Sequence, residues 1–153
     1  MQGAATILHH PIHPIVIVFP IAFFIGSLGA DIVFLASRRP FWSKCAFALI
    51  GFGIVGGLGA ALLGLIDYRT APMSSQAFDD ATDHMLANLI LVGVFLVNFV
   101  LRWRRPGIWL GYVLTAAGFL IVLYAGWLGG ELVYRFQVGV APAVHPFAGN
   151  AQP

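Results

Sequence analysis

Four apolar stretches, each long enough to cross a bilayer as a helix, constrain this chain more than any other feature. They run from about Pro14 to Ala36, Cys45 to Ile66, His84 to Leu101 and Ile108 to Leu128. A helix rises 1.5 Å per residue, so about 20 apolar residues cover the ~30 Å of hydrocarbon in a bilayer. In that medium every backbone N–H and C=O needs a partner within the protein, which a helix supplies from its own turns. The expectation is an all-α integral membrane four-helix bundle forming a single domain. Composition points the same way. Of 153 residues, 59% are hydrophobic and only 9% are charged, and the mean hydropathy is +0.89. A soluble domain carries roughly a quarter charged residues, so the polar supply here is too small for a water-facing surface.

The cations orient the bundle. Arg38, Arg39, Lys44, Arg102, Arg104 and Arg105 fall in the first and third loops, while Arg69 and Arg135 fall elsewhere. The excess of Lys and Arg in cytoplasmic loops places those two loops inside. Both termini, the loop from Asp67 to Asp83 and the tail after Arg135 are then outside, together with Asp67, Asp79, Asp80, Asp83 and Glu131. The tail, residues 136–153, is rich in Pro, Gly and Ala and is expected to lie on the surface without regular structure. Met1-Gln2-Gly3-Ala4 has no basic stretch before an apolar core, so the first helix is expected to stay in the mature protein.

The two halves resemble each other. His13 opens the first helix and His84 the third, and each hairpin closes in a short basic loop. The second helix ends in Gly64-Leu65-Ile66-Asp67-Tyr68-Arg69 and the fourth in Gly129-Gly130-Glu131-Leu132-Val133-Tyr134-Arg135. An internal duplication leaves this pattern, with the hairpins related by an axis along the membrane normal; so do any two unrelated hairpins with matching ends, and both readings stand. Pro11 and Pro14 suit a helix start, and Pro20, inside the first helix, should kink it. Glycines of the second helix (Gly51, Gly53, Gly56, Gly57, Gly59) and of the fourth (Gly118, Gly126, Gly129, Gly130) favour close helix approach over room for a flat cofactor.

The histidines carry most of the functional signal. His9, His10, His13, His84 and His145 all fall at or beyond the outer helix ends. His10 and His13 share a helix face at i, i+3. A ligand between the first and third helices would meet a histidine from each, the arrangement a low-spin b-type haem needs. His13 and His84 are the first choice of axial ligands, with His10 and His145 as alternates. Asp80, at i−4, is placed to accept the second ring proton of His84, and Asn88 lies one turn deeper. Arg69 and Arg135 are placed to pair with haem propionates. Tyr68, Tyr134 and Trp127 border this end, where Tyr and Trp are enriched in any membrane protein. A competing set, His13, Asp67, His84 and Glu131, would suit non-haem iron, manganese or zinc. Histidines outside a membrane also commonly sit in water without a ligand, the reading favoured for His9.

Asp31 lies in an apolar run near the inner end of the first helix, where a carboxylate is costly. It is either a proton-uptake point, a partner of Lys44 or Arg102, or a hydrated interfacial acid. One cysteine, Cys45, excludes an internal disulfide and cysteine-rich metal sites. No serine or cysteine nucleophile is placed beside a base, and the arginines are explained by topology, which leaves no nucleic-acid surface.

His10-Pro11-Ile12-His13-Pro14, Phe19-Pro20, Asp31, Gly64-Leu65-Ile66-Asp67-Tyr68, His84 with Asn88, Gly126-Trp127-Leu128-Gly129-Gly130-Glu131-Leu132-Val133-Tyr134 and Val138-Gly139-Val140 together resemble the bacterial membrane family called domain of unknown function 2231. The resemblance covers nearly the whole chain from His10 to Val140. Relatives often carry a histidine just before the Phe-Pro pair, where this chain has Val18. The resemblance implies a redox setting in the bacterial inner membrane, since some relatives look fused to Rieske iron–sulfur domains or encoded beside cytochromes. The expected function is therefore electron transfer through one or two b-type haems, between a periplasmic carrier and quinone or a Rieske-type or other redox subunit. The alternatives are a non-haem metal protein and a cofactor-free structural subunit of a larger complex, as a homo- or hetero-oligomer.

Overall fold

A computed structural model of the chain describes residues 6–8 and 10–140. Thr6–Ile7 pairs antiparallel with His10–Pro11. Five helices follow: α1 (Ile12–Val16), α2 (Val18–Ser37), α3 (Pro40–Thr70), α4 (Ser75–Arg104) and α5 (Trp109–Tyr134). The first two make one span, so four helical spans are long and apolar enough to cross a bilayer. Both ends of α3, the start of α4 and the end of α5 lie a turn or more beyond the apolar stretches, because backbone hydrogen bonding continues into the polar residues there.

Local chemistry sets the boundaries. The interruption at Ile17 lies three residues before Pro20, which has no N–H to give the Val16 carbonyl. Helix α2 stops at Arg38, whose φ of 55° turns the chain into the left-handed region while its N–H closes on the Phe34 carbonyl at 2.8 Å. Pro40 then opens α3 at the position where a missing N–H costs nothing. Ser74 caps α4, its hydroxyl accepting from the Ala77 N–H at 3.2 Å.

Each hairpin packs on itself, α2 on α3 and α4 on α5, and α3 meets α4 while α2 meets α5. The first helices of the two hairpins touch across the centre through side chains. Phe24 and Phe95 stack there with ring centroids 3.9 Å apart and planes 8° from parallel. Around them Ile50, Ile54, Leu91 and Val122 complete the core. Large apolar side chains point outward instead, Leu62 being 67% exposed and Leu120 65%. Such a surface would aggregate in water and is at home in lipid.

The hairpins repeat in register. The buried positions Pro20, Phe24, Ser27 and Asp31 of α2 recur 71 residues later as Leu91, Phe95, Asn98 and Arg102 of α4. Gly53 lies under the Phe24 ring as Gly118 lies under Phe95. A Cβ at Gly53 would come within 2.4 Å of that ring, and one at Gly118 within 2.5 Å. The halves thus repeat buried positions and contacts alike, as an internal duplication would leave them.

Candidate functional site

The two helix-opening histidines occupy equivalent places. His13 Nδ1 lies 2.9 Å from the Ala60 carbonyl oxygen and His84 Nδ1 lies 3.0 Å from that of Ala125. A carbonyl only accepts, so each ring donates from Nδ1, and a neutral ring held this way keeps Nε2 as a lone-pair donor. One turn further along, Gly64 and Gly129 sit against the two rings. A Cβ at Gly64 would approach His13 Cε1 to 3.0 Å, and one at Gly129 would approach His84 Cε1 to 3.1 Å. Each half therefore supplies the same unit: an imidazole, a carbonyl to hold it and a glycine to admit it. The histidine-to-alanine separations are 47 and 41 residues, so the second hairpin is six residues shorter at its far end.

The sites differ in one respect. The Asn88 amide nitrogen donates to the His84 carbonyl at 2.8 Å and lies 3.2 Å from His84 Nε2. The equivalent residue of the first half is Ile17, which carries no amide. Nε2 of His13 has no hydrogen-bond partner among the described residues.

Asp80 does not hold His84, because the Ala125 carbonyl takes that proton. The cause is proximity: α5 packs along α4 and brings its backbone to the ring, whereas Asp80 lies on the preceding turn. Asp67 and Glu131 are out of register. Ala60 with Ala125 and Gly64 with Gly129 align Glu131 with Ile66 and Asp67 with Leu132, so the acids point a helical step of about 100° apart. Among the described residues no three His, Cys, Asp or Glu side chains gather into a metal-holding group. Arg135 makes a loose 3.5 Å contact with Glu131 and covers the Phe136 ring, and Arg69 is exposed. Tyr68 bonds Thr82 through its hydroxyl at 2.8 Å. His9, the His10 side chain and His145 lie outside the described residues.

The opposite end holds a buried polar network. The Arg102 guanidinium meets Asp31 through a fork, Nη1 to Oδ1 at 2.8 Å and Nη2 to Oδ2 at 2.6 Å. Its Nε donates to Asn98 at 2.8 Å, and Nη2 also donates to Thr115 at 2.9 Å. Asn98 donates to Thr115, whose hydroxyl donates to the Gly111 carbonyl. Asp31 is thus a partner of Arg102 rather than of Lys44, and it is not a hydrated surface acid. Arg102 is correspondingly no loop cation. Five cations of the six remain at this end without it. The repeat could have revealed this pair, since Asp31 and Arg102 are equivalent positions of the two halves.

A family model described as a predicted membrane protein, DUF2231, matches residues 9–142. No curated protein and no solved structure matches the chain.

Proposed function

The chain belongs to the DUF2231 family of predicted membrane proteins, and from that footing we propose that it binds b-type haem between His13 and His84 and carries electrons. The observation that carries this reading is the matched pair of Nδ1-anchored imidazoles on α1 and α4. Neutral rings with Nε2 available and Nδ1–H held by a carbonyl are what axial ligands require, and the carbonyl raises ligand basicity. Haem held there would supply one-electron uptake and release.

The chain's own residues do the rest. Ala60 and Ala125 hold the ring planes, and Gly64 and Gly129 leave the space those planes occupy. Asn88 yields Nε2 of His84 at the cost of one long hydrogen bond and keeps its shorter bond to the His84 carbonyl. Arg69 and Arg135, both exposed, are available to carboxylates at the same end. In this proposal the histidine end faces the periplasm of a bacterial inner membrane. The support is that Arg38, Arg39, Lys44, Arg104 and Arg105 crowd the other end. Electrons would pass between a periplasmic carrier and quinone or a Rieske-type or other redox subunit.

The test is a reduced-minus-oxidised visible spectrum of the purified protein. A Soret band with a split α-band is expected, abolished by His13→Ala and by His84→Ala. Gly64→Ala and Gly129→Ala should broaden or shift it by displacing the rings. Absence of any Soret band from protein produced with ample haem overturns the proposal. Stoichiometric iron, manganese or zinc without porphyrin absorbance would assign the same two nitrogens to a bare metal.

A further inference from the structure

A cavity of about 310 Å³ opens at the basic end of the bundle, between the start of α3, the end of α4 and the start of α5. Its walls are largely apolar and aromatic, with Phe47, Trp103, Ile108 and Tyr112 among them. Arg102 forms part of the wall, but its fork and Nε are engaged with Asp31 and Asn98, so it brings no free charge. Free charge comes from Lys44, exposed and without a partner among the described residues, next to Ser43.

The charge around the cavity is uncompensated. Arg38, Arg39, Arg104 and Arg105 are exposed at the same end. Among the described residues the only carboxylate there is Asp31, neutralised by Arg102. An apolar recess at the end of membrane spans, with one unengaged lysine in its wall and further cations at the same end, suits a negative, partly apolar occupant.

We propose that this cavity seats one anionic phospholipid, its phosphate at Lys44 and Ser43 and its first acyl carbons along Phe47 and Trp103. A free anion would satisfy the lysine and leave the aromatic walls unused. A neutral lipid would fill the walls and leave the charge unanswered. Basic recesses between spans are suited to anionic headgroups for this reason. The assignment does not depend on haem at the other end.

The test uses the full-length protein in phosphatidylcholine nanodiscs with and without phosphatidylglycerol, followed by native mass spectrometry of retained lipid. One phosphatidylglycerol per chain is expected, held in preference to phosphatidylcholine. Lys44→Ala and Lys44→Gln should weaken retention about fivefold, the effect of one basic residue near the surface, and Lys44→Arg should restore it. Lys44 is exposed, so these variants should keep their helicity by circular dichroism. Arg104→Ala, outside the cavity, should leave retention unchanged. Equal retention of both lipids overturns the proposal. So does indifference to Lys44, an equal loss with Arg104→Ala, or displacement by millimolar inorganic phosphate alone.

Discussion

Asp31 and Arg102 bring two charges into the bundle where hydrocarbon surrounds it, and their arrangement sets what each is worth. Both side chains are almost wholly buried, at 3% and 7% exposure, and all three guanidinium nitrogens donate hydrogen bonds. Removing one partner strands the other charge, which costs about 3–5 kcal/mol. Removing both leaves an apolar gap of matching volume and costs much less. Thermal unfolding in detergent should therefore show Asp31→Leu and Arg102→Met each strongly destabilising, and the double variant milder than either single. Additive losses would mean the pair is not coupled. The sequence placed Asp31 beside Arg102 as one of three readings, and the structure selects it. What sequence alone could not supply was the accepting group for each histidine. Asp80 was the visible candidate at helical spacing, but the acceptors are backbone carbonyls of Ala60 and Ala125. A carbonyl belongs to every residue and leaves no mark in the sequence, so only the packing of α3 and α5 reveals it.

The helices themselves were legible because hydrocarbon permits little else for stretches of this length. Their ends were less so, since apolar patterning stops at the interface while hydrogen bonding continues. Helix α4 shows the difference: apolar from His84, it begins at Ser75, two turns earlier in polar sequence. That extension rests on its cap. Ser74 accepts the Ala77 N–H, and Phe78 N–H closes on the Ser74 carbonyl at 2.9 Å. Ser74→Ala should cost about 1 kcal/mol, and because the deeper turns are held by the bundle the loss should be local. Hydrogen exchange should quicken at the amides of residues 77 and 78 while those beyond His84 stay protected. Uniform quickening along α4 would contradict this. The same element-scale view bears on the two acids of the alternative metal set. Asp67 and Glu131 look aligned when the ends of α3 and α5 are compared as strings of letters. Anchored on the histidine contacts instead, they are one residue apart, and one residue on a helix is a change of face.

At the scale of the molecule, two equivalent hairpins present the question of why each does not pair with a copy of itself. The stacked phenylalanines offer no answer, because Phe24 and Phe95 are alike. The discriminating position is two turns further along, where the repeat has placed Asp31 in one half and Arg102 in the other. Two copies of the first hairpin would set Asp31 against Asp31, and two of the second Arg102 against Arg102, both in hydrocarbon where unpaired charge is costly. Only the mixed pair closes the fork. The connection between α3 and α4 is the short segment Ala71–Ser74, so the chain can be divided there without cutting a span. Co-expressed as separate polypeptides, a tagged first hairpin should retain the second on an affinity column and should not retain an untagged copy of itself. Asp31→Arg in the first hairpin should abolish that retention, and Arg102→Asp in the second should restore part of it, since Asn98 and Thr115 remain set for the original guanidinium. If the first hairpin holds itself as firmly as it holds its partner, the charges do not select the pairing.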